Sequence, residues 1–469
     1  MTKHSNALTR RVFLSSVGAT TGLAAVGGRL DAEVGAWQRA ANLSSAIRPP
    51  HFPNRTVDVL AMGARADGQS LSTQAFDRAI RACSEGGGGR VLVPPGHYRS
   101  GAIRLRSGVN LHLAAGATIT FSSDPADYPM VRTRWEGVEL INYSPLVFAD
   151  GETDVAITGQ GTLDGAGAAW WPWSGSSLFG WHSGLPNQSA SRSILFAMAE
   201  RGVPVDQRIF GAGHGLRPML VQFQRCTNIL VESVTLRDSP FWTIHPVLCR
   251  NVTVRRVSVI GHGPNTDGCD PESVDGMIVE HCSFDTGDDC IAIKSGRNAD
   301  GRRLGTPARN ILIRDCTMRD GHGGVVIGSE VSGGVDGVFV EHCRMDSPNL
   351  WYALRFKNNA LRGGRIEHIH CRDIHVGQVA KAAIGCDFTY EEGANGPFAP
   401  SLRDVSIARM KAASATRVLD LQGLPDAPID NIRLADCRFD GVTAPSIVSH
   451  VRELTLHRVS VNGHRVASL

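Results

Sequence analysis

The stretch Asn228-Ile229-Leu230-Val231-Glu232-Ser233-Val234-Thr235-Leu236 puts a polar residue first and apolar residues one, three, six and eight positions later. The same spacing returns at Asn251-Val252-Val254-Val257-Val259, Gly276-Met277-Val279-Cys282-Phe284 and Asn310-Ile311-Ile313-Cys316-Met318. Further copies are Gly337-Val338-Val340-Cys343-Met345, Asp404-Val405-Ile407-Met410, Asn431-Ile432-Leu434-Cys437-Phe439 and Glu453-Leu454-Leu456-Val459-Val461, with a looser one from His368. Period-two alternation marks a short strand with one buried face, and a unit recurring every 22 to 36 residues cannot bury that face alone. Stacking does bury it. The repeat therefore predicts an all-β chain wound as a single-domain, right-handed parallel β-helix, each coil about 4.8 Å from the last.

Cys282, Cys316, Cys343 and Cys437 fill the slot that Val234, Val257 and Met410 hold elsewhere, which reads them as small buried hydrophobes in an interior stack and leaves open whether any cysteines pair. His281, His342 and His370 each precede a cysteine and should face outward, because alternation sends neighbours to opposite faces. A shared metal site is not expected from these His-Cys pairs. Upstream, Ser72 or Thr73 is placed to cap a helix through Cys83, with Phe76, Ala79, Ile80 and Cys83 along one face. Such a helix would close the open end of the first coil. Trp170 to Gly215 breaks the repeat and reads as a long loop.

The composition agrees. In 469 residues, 42% hydrophobic and 20% charged, no apolar run approaches the ~18 residues needed to span a bilayer. Disorder, collagen and an integral membrane protein are excluded. The 52 glycines and only 6% aromatics suit many turns between short strands. The net charge of +3 comes from the first 32 residues, where Lys3, Arg10, Arg11 and Arg29 face Asp31 alone, so no nucleic-acid footprint remains. Thr9-Arg10-Arg11-Val12-Phe13-Leu14 and the mildly apolar stretch after it have the layout of a twin-arginine export signal. Residues 1–32 are therefore expected to be removed on export to a periplasmic or secreted location, 33–52 to be a leader or linker, and 53–469 to form the β-helix.

Against the repeat, polar residues gather in neighbouring coils as Asn265-Thr266-Asp267-Gly268, Gly287-Asp288-Asp289-Cys290, Gly321-His322-Gly323 and Arg355-Phe356-Lys357. Asp267, Asp289, His322 and Arg355 fall 12 to 18 residues beyond their repeat starts, which places them on one side of successive coils. Like charges at rung spacing raise one another's pKa, so such a ladder is costly and signals a cleft. Hydrolysis of a glycosidic bond in an acidic sugar polymer needs this set: a protonated carboxyl for the leaving oxygen, an ionised one for water, and cations for the sugar's carboxylate. Arg355 and Lys357 should project together from one strand with Phe356 buried between them. Since Asp288 and Asp289 are adjacent, the chain must bend between Gly287 and Asp289 if both serve the site.

These four segments, in this order and spacing, resemble glycoside hydrolase family 28, the polygalacturonases and their relatives, over most of the chain from about Val57 onward. The longer run Asp285 to Gly296 is similar to the bacterial branch. The resemblance implies that Asp288 is the general acid, that Asp267 and Asp289 position and activate the water, and that the anomeric configuration inverts. It further implies that His322 tunes the acid, that Arg355 and Lys357 hold the galacturonate carboxylate, and that neither metal nor organic cofactor is needed. Phe356 replaces the family's usual aliphatic residue at a core-facing position. Asn349-Leu350-Trp351-Tyr352-Ala353 departs from the family's short glycine-containing lead, which leaves the sugar bound near Arg355 undefined.

The expected partner is a pectic oligo- or polysaccharide, and the sequence leaves open the pectic polymer, endo or exo action and the oligomeric state. A hydrolase of rhamnogalacturonan or another branched pectin is the alternative within the same reading. Two rivals differ in kind: a β-helix lyase using calcium and an Arg or Lys base, and a non-catalytic pectin-binding β-helix.

Overall fold

The computed structural model describes residues 34–469, so the export-signal reading falls on residues outside those described. The chain winds as a parallel β-helix, as the repeat requires. Its first sheet has 13 strands among the described residues, and the repeat strands from Thr227–Glu232 to Val451–His457 follow one another in it in chain order. Two further parallel sheets complete each coil. One carries Thr235–Arg237, Ser258–Gly261 and Ser283–Thr286; the other carries Val221–Gln224, Ile244–Val247, Ile291–Ile293, Val325–Ile327 and Tyr352–Lys357. Cys269 bridges Ile244 to Ile291 and keeps this last sheet continuous. No helix among the described residues is long and apolar enough to cross a membrane.

The backbone explains why a polar or small residue opens each repeat. Asn228, Asn251, Gly276, Asn310, Gly337, His368, Asp404, Asn431 and Glu453 all have left-handed φ between 49° and 84°. Asn, Asp and Gly bear this conformation at least cost. A second left-handed residue follows five positions later, as at Ser233, Arg256, His281 and Asp315, and turns the chain into the next sheet. Several openers also link across rungs: Asn251 donates to Asn228 (2.6 Å), and Asn431 donates to Asp404 (2.7 Å). Inside, Val234, Val257, Cys282, Cys316, Cys343 and Cys437 stack as expected, and all eleven cysteines are free and buried. His281 and His342 are exposed and His370 is half-buried, so none shares a face with its cysteine.

The helix Thr73–Glu85 covers the first coil with Ala75, Phe76, Ala79, Ile80 and Cys83 buried. Its capping chemistry differs from expectation. Ser72 occupies the N-cap position, but its hydroxyl accepts from the Arg65 backbone N–H (3.0 Å), while Thr73 accepts from that of Gly101 (2.7 Å). The cap side chains thus tie the helix to the coil instead of to itself.

Two segments hold more structure than the sequence suggested. Within the expected leader, residues 34–46 form a helix whose Ala40, followed by Ile47, packs on Ile278, Leu312 and Phe339. Those three occupy outward positions on successive strands, so their apolar character was the signal. The segment from Trp170 to Gly215 contains a helix, Gln188–Glu200, where a loop was expected. Its Leu195 and Ala199 bury against Trp135, Phe210 and Phe241.

Candidate active site

Two turns bring the carboxylates together. Thr266 directs its hydroxyl at the carbonyls of Gly261 (2.8 Å) and Gly263 (2.7 Å), and the Gly287 N–H donates to that hydroxyl (3.3 Å). The turn carrying Asp267 is thereby pinned to the bend carrying Asp288 and Asp289. A side chain at position 287 would meet the Gly263 carbonyl at 2.5 Å, so only glycine fits there. The chain does bend between Thr286 and Ile291, outside the flanking strands, and Asp288 and Asp289 both reach the site. Asp267, Asp288 and Asp289 each place an oxygen within 4.8 Å of the others.

Two buried ammonium groups hold this cluster. Lys357 Nζ lies 2.6 Å from Asp289, and Lys294 Nζ lies 3.8 Å from Asp267, 3.5 Å from Asp270 and 3.3 Å from Glu330. Three carboxylates so close also suit a divalent cation, but the two ammonium groups already occupy that counter-charge role. Lys294 is further set 4.3 Å over the Trp242 ring. Burial works against its charge, yet Glu330, Asp270 and Asp267 together push its pKa well up.

The proton inventory is uneven. Burial, then the charges of Asp270 and Asp288, hold the Asp267 carboxyl well above the usual range. At Asp288 burial also opposes ionisation, but the hydrogen bond and charge of His322, 2.9 Å away, win and bring it down to about 2. Burial likewise pushes up Asp270, a fully buried residue that sequence reasoning missed. The free site therefore favours one proton shared between Asp267 and Asp270 and leaves Asp288 ionised.

The remaining expected residues divide. Phe356 is buried between Arg355 and Lys357, as alternation requires. Both cations lie near Tyr390, at 5.5 and 5.1 Å from its ring, but only Arg355 lacks a carboxylate partner among the described residues. Lys357 serves Asp289 first. His322 stacks on Trp351 (3.9 Å between centroids), so the segment that departs from the family's pattern props the imidazole against Asp288.

A pocket of about 290 Å³ opens above the carboxylates, lined in part by Asp267, Asp288, Lys294 and Lys357. Its far wall comes from three insertions. Glu136 sits in the hairpin Met130–Trp135 and Val138–Tyr143, Arg192 on the helix Gln188–Glu200, and Glu391 in the turn after the strand His375–Asp387. Arg192 ties them, at 2.7 Å from Glu136 and 3.0 Å from Glu391. Buried Arg297 pairs with the same two glutamates and with Glu330. Glu136 and Gly137, both with positive φ, form a two-residue hairpin turn. Gly137 approaches the Arg297 backbone so closely that a side chain there would meet its nitrogen at 2.6 Å. Another missed residue is Arg217, fully buried, whose guanidinium donates to the Pro264 carbonyl (2.7 Å) and to Asn265 (2.7 Å) and so fixes the loop leading to Asp267.

Residues 211–454 match the family described as glycosyl hydrolases family 28. A probable polygalacturonase of Vitis vinifera is 28% identical over 81% of this chain and 73% of its own length. An exo-poly-alpha-D-galacturonosidase of Dickeya chrysanthemi is 27% identical over 72% of this chain and 58% of its own. Among solved structures, a hyperthermoactive exopolygalacturonase from Thermotoga maritima superposes with a TM-score of 0.89 at 43% identity, covering 92% of this chain and 97% of that one.

Proposed function

The chain belongs to glycoside hydrolase family 28 and hydrolyses galacturonan pectin with inversion, and we propose that its reaction runs on Asp288 as acid and on Asp267 and Asp289 as the groups that activate water. The observation that carries this assignment is the cluster of three carboxylates within 4.8 Å, held by two buried ammonium groups on the floor of a pocket.

The reaction needs the proton on Asp288 and a charge on Asp267, the reverse of the free site. One proton passing between these neighbours accomplishes both changes. A glycosidic oxygen brought to hydrogen-bond distance of Asp288 favours its neutral form, and desolvation by the sugar acts in the same direction. Asp288 then protonates the leaving oxygen while ionised Asp267, with Asp289, takes a proton from water. Lys357 holds Asp289 in place. His322 is the positioning residue for Asp288, and Arg355 receives the carboxylate of the sugar on the leaving side.

We assign exo action to the enzyme. The wall of Glu136, Arg192 and Glu391 ends the pocket, which lies at the small end of ligand sites and suits a chain terminus better than mid-chain passage. The similarity to exopolygalacturonases supports the same reading. Residues 53–469 act as the catalytic domain, and export through the Arg10-Arg11 leader would carry the enzyme to its polymer. Polygalacturonate digested in the presence of chelator tests the whole: new reducing ends without ultraviolet absorbance, and one short product from the outset. A ladder of oligomers would refute exo action, and unsaturated, chelator-sensitive products would establish the lyase instead.

A further inference from the structure

Beyond Arg355 the cleft continues over coils whose cations the reaction does not use. The backbone N–H of Lys381 donates to the Trp351 carbonyl (2.9 Å), which places Lys381 one coil past Trp351. Its ammonium lies 3.5 Å from the Trp351 ring, the ring that stacks on His322 one coil earlier. Asp288, His322, Trp351 and Lys381 thus form one column up the helix. In the adjacent column, Tyr352 pairs in register with Ala382, and Ala382 with Arg417. Arg355 itself lies over Tyr352, 4.9 Å from its ring. Among the described residues, Arg355, Lys381 and Arg417 have no carboxylate within ion-pair distance, and the Arg417 Nε is buried without a hydrogen-bond partner. The nearby acid, Asp420, accepts from Gln422 (2.8 Å) and engages the Tyr352 hydroxyl, so three cations face one committed carboxylate.

None of these three cations lines the pocket above the carboxylates. They lie on the Asp288 and His322 side, where the leaving part of the polymer emerges. A coil rise of about 4.8 Å is close to the length of one pyranose unit along a polysaccharide. Unpaired cations at that repeat match a ligand bearing one negative charge per sugar.

We propose that Lys381 and Arg417 continue the anion-receiving line of Arg355 over the next two coils, as a binding track for consecutive unesterified uronate carboxylates on the leaving side of the chain. This deepens the hydrolase assignment and rests on it. The track makes the enzyme prefer long, de-esterified substrate, while chemistry at Asp288 sets the rate once the chain is seated.

The test is a length series of oligogalacturonates cleaved by the wild type and by the double variant Lys381→Gln/Arg417→Gln. In the wild type, kcat/KM rises over the two sugars added to the shortest cleaved oligomer, and salt erodes that rise. In the double variant the gain shrinks about tenfold, as expected for two ion pairs at a partly exposed surface, and Lys381→Arg restores part of it. A double variant that keeps the full gain, or one that loses the same factor on every oligomer, overturns the track. A wild type that cleaves no oligomer overturns the hydrolase assignment, and the track with it.

Discussion

The outer face of the first sheet and the cleft are both rich in charge, and they use it in opposite ways. On the sheet, arginines meet acids that are their register partners on the neighbouring coil. Arg255 faces Glu232 at 2.7 Å, Arg309 faces Asp275 at 2.9 Å, and Arg314 faces Glu280 at 2.6 Å. These pairs are neutralised one rung away. In the cleft the rungs are mismatched. Acids crowd around Lys294 in excess, and cations farther along stand without acids. A solenoid that can pair its charges and fails to do so in one strip has concentrated free energy there, and that strip is where chemistry occurs.

This contrast can be broken at three places, with effects that descend in size. The largest is Asp288→Asn, which removes the proton donor while preserving shape. Turnover should fall by about 10³-fold or more with the thermal transition nearly unchanged, as reducing-end assays and calorimetry would show. Retained activity above a few per cent would take the acid's role from Asp288.

Next is Asp270→Asn. The charge of Asp270 helps hold Asp267 up, so its removal lets Asp267 ionise at lower pH. The enzyme works with one proton in the cluster. Activity is lost on the acid side as a second proton binds, and on the basic side as the last one leaves Asp267. The basic limb of kcat/KM should therefore move to lower pH, while the acid limb, set by Asp288 near 2 in the free enzyme, stays. An unmoved or raised basic limb contradicts the shared-proton account. The smallest effect belongs to the sheet: Arg309→Ala should cost less than about 1 kcal/mol of stability and leave kcat/KM unchanged. A larger loss would mean that the paired face does more than neutralise itself.

The β-helix was legible because its period is written twice, once in apolar alternation and once in the polar residue that opens each repeat. The left-handed φ behind Asn228, Asn251 and Asn310 gives that opener its physical reason. The cluster of Asp267, Asp288, Asp289 and His322 was legible for the opposite reason, as polar residues that violate the repeat. Asp270, Lys294 and Arg217 were not singled out, since each acts by burial, which spacing does not encode. The walls of the pocket were the least legible. Glu136 and Glu391 lie 56 and 199 residues from Arg192 in the chain and meet through Arg192 and Arg297. Lys357 was expected to bind substrate; its 2.6 Å contact with Asp289 is an added feature that spacing did not show.

One measurement bears most directly on the shared-proton cluster. By separation alone, carboxylates within 4.8 Å fall nearer the roughly 5 Å of retaining glycosidases than the 6.5–9.5 Å of typical inverting ones. In the proposed mechanism three carboxylates divide the work from one side of the cleft, and a water held by Asp267 and Asp289 would replace the distant base. Proton NMR of the first turnovers on oligogalacturonate reads the newly formed anomeric centre before it mutarotates. The account predicts the β-anomer first from the α-linked substrate, and none from Asp288→Asn. An α-anomer first would mean a covalent intermediate and would contradict it.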